Sequence, residues 1–326
     1  MVTGPLNRIV SEVDLFSMDK HAKIFVAGHR GMVGSAIVRA LEAKGFDNIV
    51  VRSRAEVDLR VKTDVDAFFQ QERPEYVFLA AAKVGGIMAN NTQPVEFLVE
   101  NIEIQNNVLT SANRADVGKV LFLGSSCIYP KFAEIPIRED SLLTGHLEPT
   151  NDAYAIAKIT GIMLCQALRR EYGRHYISAM PTNLYGPNDN YDLQKSHVLP
   201  ALIRKFHAAQ STGADEVVLW GTGTPRREFL HVDDLADACL FLMDNYDDPA
   251  PINVGTGEDL PIADLAAMVE EIVGYQGRVT FDTSKPDGTM RKMLDVSRLT
   301  ALGWQARIPL HQGIEKVYRE VDKTGW

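Results

Sequence analysis

Three glycines at every third position, Gly28, Gly31 and Gly34, separate a short apolar run (residues 23–27) from an amphipathic stretch (residues 35–44). This spacing constrains the fold more than any other feature. The run reads as a strand. The stretch reads as a helix, with Ala36, Ile37, Ala40 and Leu41 on one face. Glycines at such a junction let the backbone turn tightly and approach a pyrophosphate, which rests on the helix N-terminus. Gly45 ends the helix and residues 48–52 read as the next strand, closing a β-α-β unit of the expected size. The G-x-x-G-x-x-G spacing differs from the commoner G-x-G-x-x-G form. A tight turn with no ligand is the structural alternative.

The alternation continues. Strand patterns fall at residues 76–80, 120–124 and 176–180, with helical patterns at 64–71, 94–115 and 154–172. The implied fold is α/β, a Rossmann doubly wound parallel sheet. Beyond residue 183 the pattern loosens. A helix at 198–209, a strand at 216–220 and a helix at 233–244 precede a strand at 252–254 that returns toward the sheet. A helix at 262–273, a strand at 278–281 and a polar loop at 282–292 follow. The expected organisation is a leader or extension at 1–21 and a nucleotide-binding domain at 22–183, rejoined by segments around 229–256. Residues 184–326 are mainly a smaller C-terminal α/β substrate lobe.

The net charge of -9 gives no electrostatic support to nucleic-acid or anionic-membrane binding. An anionic ligand needs a local basic site. Cys127, Cys165 and Cys239 are odd in number and widely spaced, which speaks against a disulfide framework or a structural metal and suits a reducing, cytoplasmic setting. No run approaches a membrane span, and residues 1–21 lack the apolar core of a secretory signal.

The cofactor type follows from the second strand, which ends Val50-Val51-Arg52-Ser53-Arg54. NAD sites often place an acid there, on the ribose hydroxyls. Arginine suits a 2'-phosphate, because guanidinium pairs with phosphate in a fork. Arg52 and Arg54, with Arg30 inside the glycine turn, favour NADP. Glu56 and Asp58 keep NAD use open, and Asp58 and Leu59 are candidate adenine contacts.

Tyr154 and Lys158 are four residues apart and share one helix face. A cation beside a phenol is expected to lower its pKa, making it a proton donor or acceptor near neutral pH. Taken alone, the pair can arise by chance.

These segments together resemble the extended short-chain dehydrogenase/reductases, and within them the family of GDP-4-keto-6-deoxy-mannose epimerase-reductases, the GDP-L-fucose synthases. The resemblance rests on AGHRGMVGSAI, LAAAKVGGIMANN, FLGSSCIYPK, LEPTNDAYAIAK, MPTNLYGPNDN, SHVLPALIRKFH, WGTGTPRREFLHVDDLADAC and KPDGTMRK, which run in the family's order from about residue 23. Met290 replaces an expected proline. The leader lies outside it.

The resemblance implies inversion of carbons 3 and 5 of the keto sugar, then reduction of its 4-keto group by NADPH to give GDP-L-fucose. It implies a homodimer packing through the helices at 94–115 and 154–172. It makes Ser125, Tyr154 and Lys158 the reductase set, and Cys127 and His197 the proton-exchange pair, without assigning acid and base between them. The implied cofactor positions are Gly28, His29, Arg30, Gly31, Met32, Val33, Gly34, Arg52, Arg54, Asp58, Leu59, Leu123, Gly124, Ser125, Ser126, Tyr154, Lys158, Pro181, Thr182, Asn183, Leu184 and His197. The implied substrate contacts are Lys205, Trp220, Arg227 and Asp287, with Arg291 a further candidate for the diphosphate.

Structural readings compete at several of these positions. A strand-end tryptophan such as Trp220 is usually core, and Arg227 could pair with Glu228 or Asp233. Cys165 and Cys239 are read as core, and the structural alternatives for His29 and His231 are a turn residue and strand-end packing. A 4,6-dehydratase commonly carries Asp-Glu beside the strand-end Ser or Thr, where this chain has Ser125-Ser126-Cys127. A 4-epimerase needs retained NAD, which Arg52 and Arg54 disfavour. A regulator built on this fold could dispense with the catalytic pair.

Overall fold

The computed structural model describes residues 17–193, 196–285 and 287–324. Most of the stretch read as a leader (residues 1–16) lies outside them, as does Pro286 of the KPDGTMRK segment. The first half alternates β1 (Ile24–Ala27), α1 (Met32–Ala43), β2 (Ile49–Val50), α2 (Lys62–Glu72), β3 (Tyr76–Leu79), a short α3 (Ile87–Thr92), α4 (Pro94–Arg114), β4 (Lys119–Leu123), α5 (Asp152–Tyr172) and β5 (His175–Pro181). The second half holds β6 (Asn183–Tyr185), α6 (Val198–Thr212), β7 (Glu216–Trp220), β8 (Arg226–Arg227), β9 (Phe229–His231), α7 (Val232–Asn245) and β10 (Ile252–Val254). It ends with β11 (Leu260–Pro261), α8 (Ile262–Val273), β12 (Arg278–Asp282), β13 (Arg291–Lys292), α9 (Ser297–Ala301) and α10 (Leu310–Thr324).

Six strands form one parallel sheet in the order β10-β5-β4-β3-β1-β2. Strand side chains alternate faces, and both faces are covered. Ile24 and Val26 pack with Ile37 and Leu41 of α1 and Leu240 and Met243 of α7. Phe25 and Ala27 pack on the other face with Val65, Phe68 and Phe69 of α2, Val108 and Leu109 of α4, and Ile162 and Cys165 of α5. Each of the buried Val, Leu, Ile, Phe and Met side chains among these contributes about 1.5–3 kcal/mol. Met18 is also buried against the first face, so the chain joins the sheet layer before β1.

The strand order reverses between β1 and β3. In open α/β sheets, ligands gather in the crevice beyond the strand ends at such a point. The glycine turn follows β1 there, and an added Cβ on Gly28 would lie 2.8 Å from the Ala81 nitrogen just beyond β3. Helix α5 reaches the same edge because Gly161 lets it lie close to the sheet. A Cβ there would strike the Phe122 ring and come within 2.8 Å of Gln105 Oε1 on α4.

A separate core joins α6, α8, α10 and β7 through Leu199, Phe206, Val217, Leu265, Val269, Ile314 and Val317. This lobe is tied back by the short sheet β11-β8-β13, in which Lys292 pairs in register with Arg227. Glu228, fully buried, accepts hydrogen bonds from the amides of Thr256, Gly257 and Leu294, keying three segments to one carboxylate.

Candidate active site

The glycine turn and α1 form an open cradle. A Cβ at Gly34 would fall on the Gly28 carbonyl and 2.8 Å from the His29 nitrogen, so this glycine serves close packing of the turn itself. Gly31 is different. Its φ of -79° suits any residue, and an added Cβ would meet only the Gly28 oxygen, at 3.5 Å. Glycine at this position leaves the helix N-terminus uncovered, as close approach of a phosphate requires, and no acidic residue occupies the first turn of α1. These residues fit a dinucleotide pyrophosphate. His29 is partly buried with Nδ1 unpartnered, and burial, with the charge of Arg30, lowers its pKa.

Around the cradle, Arg30 and Arg54 are exposed, and Arg54 lies 3.6 Å from Asp58. Arg52 donates to Glu72 of α2 at 2.5 Å and to the Val51 carbonyl just past β2 at 2.8 Å, which ties its guanidinium to both. Asp58 is held by Arg60 through its side chain and backbone, and this pairing lowers its pKa against the effect of burial. Leu59 accepts from Asn107 through its carbonyl.

The chemical residues converge at the ends of β4 and β5. Ser125 leaves β4 in extended conformation and accepts from the Cys127 amide at 3.2 Å. The phenol of Tyr154 lies close enough to the Ser125 hydroxyl for that hydroxyl to favour its ionised form. Lys158, buried below it, donates to the Leu123 carbonyl at 2.7 Å, and its Nζ lies 5.9 Å from the Tyr154 ring centroid. The expected lowering of the phenol pKa is not found. Burial, reinforced by Cys127, pushes Tyr154 well above its ordinary value, and the nearby Ser125 hydroxyl opposes this only in part. The reason lies in Lys158. Its own burial lowers it to about 7, and its ammonium points to a carbonyl instead of the phenol. At neutral pH Tyr154 is therefore a protonated donor.

Cys127 is half-buried. Burial alone would raise its thiol, but the Lys292 ammonium, 3.5 Å from Sγ, together with Ser125 and Asn151, holds it below the ordinary value. Asn151 sits at the start of α5 with Oδ1 buried and unpartnered. His197 opens α6 without capping it. Its imidazole surface is accessible, yet the cleft walls reduce its solvation, which with the Lys292 charge lowers its pKa. Cys165 and Cys239 are buried, and burial raises both thiols. His231 is also buried, and its Nδ1 accepts from the Asp233 amide to cap α7. Thr182 and Asn183 beyond β5 both reach the Glu228 carbonyl.

A track leads away from this cluster. Arg227 is desolvated, which lowers its pKa, and Cys127 acts on it in the opposite sense. Its possible partners are engaged elsewhere. Glu228 takes backbone amides, and Asp233 pairs with Arg39 and Lys316. The Arg227 guanidinium borders Gly288, next to Asp287, whose carboxylate accepts from the amide and hydroxyl of Thr222. Two residues before Thr222 stands Trp220. It is 66% exposed, which removes the core alternative, and Lys205 and Lys285 each place Nζ 5.8 Å from its ring centroid. Arg291, a candidate for the diphosphate, pairs instead with the buried carboxylate of Asp259.

Lys292, Asn151 and Lys285 were not singled out from the sequence. Lys292 lies 165 positions from the sulfur it touches, in a polar loop with no periodicity to give its direction. Asn151 carries the signal of a polar residue at a helix start. Among the described residues, no group of His, Cys, Asp or Glu is arranged to hold a metal, and no helix is long and apolar enough to cross a membrane.

A doubly wound sheet with a dinucleotide cradle and a Ser-Tyr-Lys cluster at one edge defines an oxidoreductase of the short-chain dehydrogenase/reductase class. The profile of the NAD dependent epimerase/dehydratase family matches residues 24–255, and the chain belongs to that family. It is 59% identical over 310 residues to GDP-L-fucose synthase 1 of Arabidopsis thaliana, covering 95% of this chain and 96% of that protein. It is 54% identical over 306 residues to GDP-L-fucose synthase of Escherichia coli K12, covering 91% and 95%. A solved GDP-L-fucose synthetase from Naegleria fowleri bound to NADP superposes with a TM-score of 0.87 at 30% identity, covering 96% of this chain and 98% of that one.

Proposed function

We propose that the protein converts GDP-4-keto-6-deoxy-mannose to GDP-L-fucose by inverting carbons 3 and 5 and then reducing the 4-keto group. The observation that carries this reading is the meeting of Ser125, Tyr154 and Cys127 at one end of a track whose other end is the exposed Trp220. Ser125 and Tyr154 can place two donors on one ketone oxygen, which stabilises an enolate as an oxyanion site does. Cys127 and His197 exchange protons at the carbons flanking that ketone. Bound NADPH supplies the hydride to carbon 4. Tyr154, protonated at neutral pH, gives its proton to the oxygen at that step.

Binding follows the same line. Trp220 offers a face to the guanine, with Lys205 beside it, and Arg227 lies between base and sugar where a diphosphate needs a cation. Asp287 supports the turn after Trp220 and can accept from a ribose hydroxyl. Arg30, Arg52 and Arg54 favour the 2'-phosphate of NADP(H). The division of labour we infer is cofactor binding by residues 22–183, with the return through 229–256, and substrate binding by the rest. We also infer a homodimer through α4 and α5, supported by the exposed apolar side chains Val95, Val99, Ile156 and Met163.

Incubation with GDP-4-keto-6-deoxy-mannose and NADPH, followed by NMR of the product, tests the reading. GDP-L-fucose is expected. A reduced sugar that keeps the original configuration at carbons 3 and 5 would leave a plain 4-reductase.

A further inference from the structure

The mechanism above uses Cys127 but leaves open what makes its sulfur ready. Lys292 answers this by position. β13 pairs with β8, and the hydrogen bond from the Leu294 amide to Glu228 fixes the backbone just past Lys292. The side chain then crosses to the sheet edge and brings Nζ within 3.5 Å of Sγ. Among the described residues Lys292 has no ion pair with a carboxylate, so its charge is directed at the sulfur.

We propose that Lys292 is a positioning residue for epimerisation, forming an ion pair with Cys127 that readies and orients the sulfur to accept a proton from the sugar. The proposal rests on the epimerase reading. When the carbon–hydrogen bond breaks, its electron pair stays in the enolate, whose oxygen lies with Ser125 and Tyr154. The proton ends on Sγ, leaving a neutral thiol beside the ammonium.

The groups around the sulfur agree with this role. Lys292 faces it from β13, and Arg227 from β8. Tyr154 and Asn151 face it from α5 and its start, neither anionic at neutral pH. Ser125 lies on its own turn, and His197, at the start of α6, shares the field of Lys292. Glu228, the buried carboxylate beside Arg227, is occupied by backbone amides. The cationic surroundings hold the thiol below its ordinary pKa, as a thiolate next to lysine requires.

Alkylation separates this role from a merely structural one. Cys165 and Cys239 are buried, so iodoacetamide labelling of the folded protein, followed at Cys127 by peptide mass spectrometry, reads one sulfur. In Lys292→Met the pH midpoint of labelling should rise by ~1–2 units, making labelling at neutral pH roughly ten- to a hundredfold slower. Lys292→Arg should recover most of the rate. Deuterium uptake from solvent at carbons 3 and 5 should fall about tenfold or more in Lys292→Met and recover as pH is raised. Reduction of an already epimerised keto sugar should fall less. An unchanged labelling midpoint in Lys292→Met overturns the proposal. A shifted midpoint with no deuterium uptake by the parent protein sustains the ion pair and refutes the epimerase reading instead.

Discussion

Gly31 and Gly34 make opposite predictions when each is given one methyl group. In Gly34→Ala the new Cβ meets the Gly28 carbonyl and the His29 nitrogen, backbone atoms that cannot swing aside. Overpacking of this kind costs roughly 1–3 kcal/mol, which in a chain of this size lowers Tm by about 2 °C for each kcal/mol. In Gly31→Ala the Cβ meets one atom at ordinary contact distance, and φ is already allowed. Loss of a good helix cap, a cost of about 0.5–1 kcal/mol, is offset by the smaller entropy of the unfolded chain, about 0.4–1 kcal/mol. Its Tm should stay near that of the parent. Its cofactor affinity should not, because the methyl covers the surface that a phosphate must approach. Losing one charge-assisted hydrogen bond there costs roughly 1.5–3 kcal/mol, or about ten- to a hundredfold in Kd. Thermal melts without cofactor and fluorescence titration with NADPH measure the two effects separately. Parent-like NADPH affinity in Gly31→Ala would refute the assignment of this surface to the pyrophosphate.

Other consequences are equally direct. Tyr154→Phe should lose roughly 100-fold or more of 4-keto reduction, because the proton for the oxygen is gone; a parental rate would show that another group supplies it. Trp220→Ala should raise KM for the sugar nucleotide by about ten- to a hundredfold through lost stacking, with little change in kcat or Tm because the ring is exposed. NADPH should be consumed in preference to NADH, and the preference should shrink in the double variant Arg52→Ala, Arg54→Ala; equal use of both by the parent would sink the argument from the strand-end arginines. Lys158 titrates at about 7 when folded without cofactor and near 10.5 when unfolded. The unfolded chain thus binds more protons above pH 7, and this residue makes stability rise with pH, by at most about 1.4 kcal/mol per unit. Urea melts at pH 7.0 and 8.5 should show a smaller rise in Lys158→Met than in the parent.

Periodicity made the parallel sheet legible. Strands buried on both faces between amphipathic helices leave a pattern that local sequence carries, and the positions of α6, β7, β10 and α8 were read closely. The two-residue strands β8, β11 and β13 were not, because so few residues hold no period and their pairing depends on contacts distant in sequence. The site divides in the same way. Tyr154 and Lys158 share one helix, and Ser125 and Cys127 one turn, so their proximity is local. Lys292 reaches Cys127 only through the β13–β8 pairing, which nothing near either residue reveals. The direction of the Tyr154 shift also escaped, because spacing gives the neighbour of a group but not the depth at which both are buried.

The Glu228 clamp has a consequence for how the molecule is assembled. One carboxylate collects amides from residues 256, 257 and 294, so the strand bearing Lys292 is seated only after nearly the whole chain has been made. The cradle, Ser125, Tyr154 and Lys158 all belong to the first 160 residues. The reductase residues therefore lie together in the first half of the chain, whereas the proton-exchange site is complete only with Lys292 from near its end. The reactivity of a single thiol, Cys127, thus serves as a built-in reporter of whether the strand bearing Lys292 is seated.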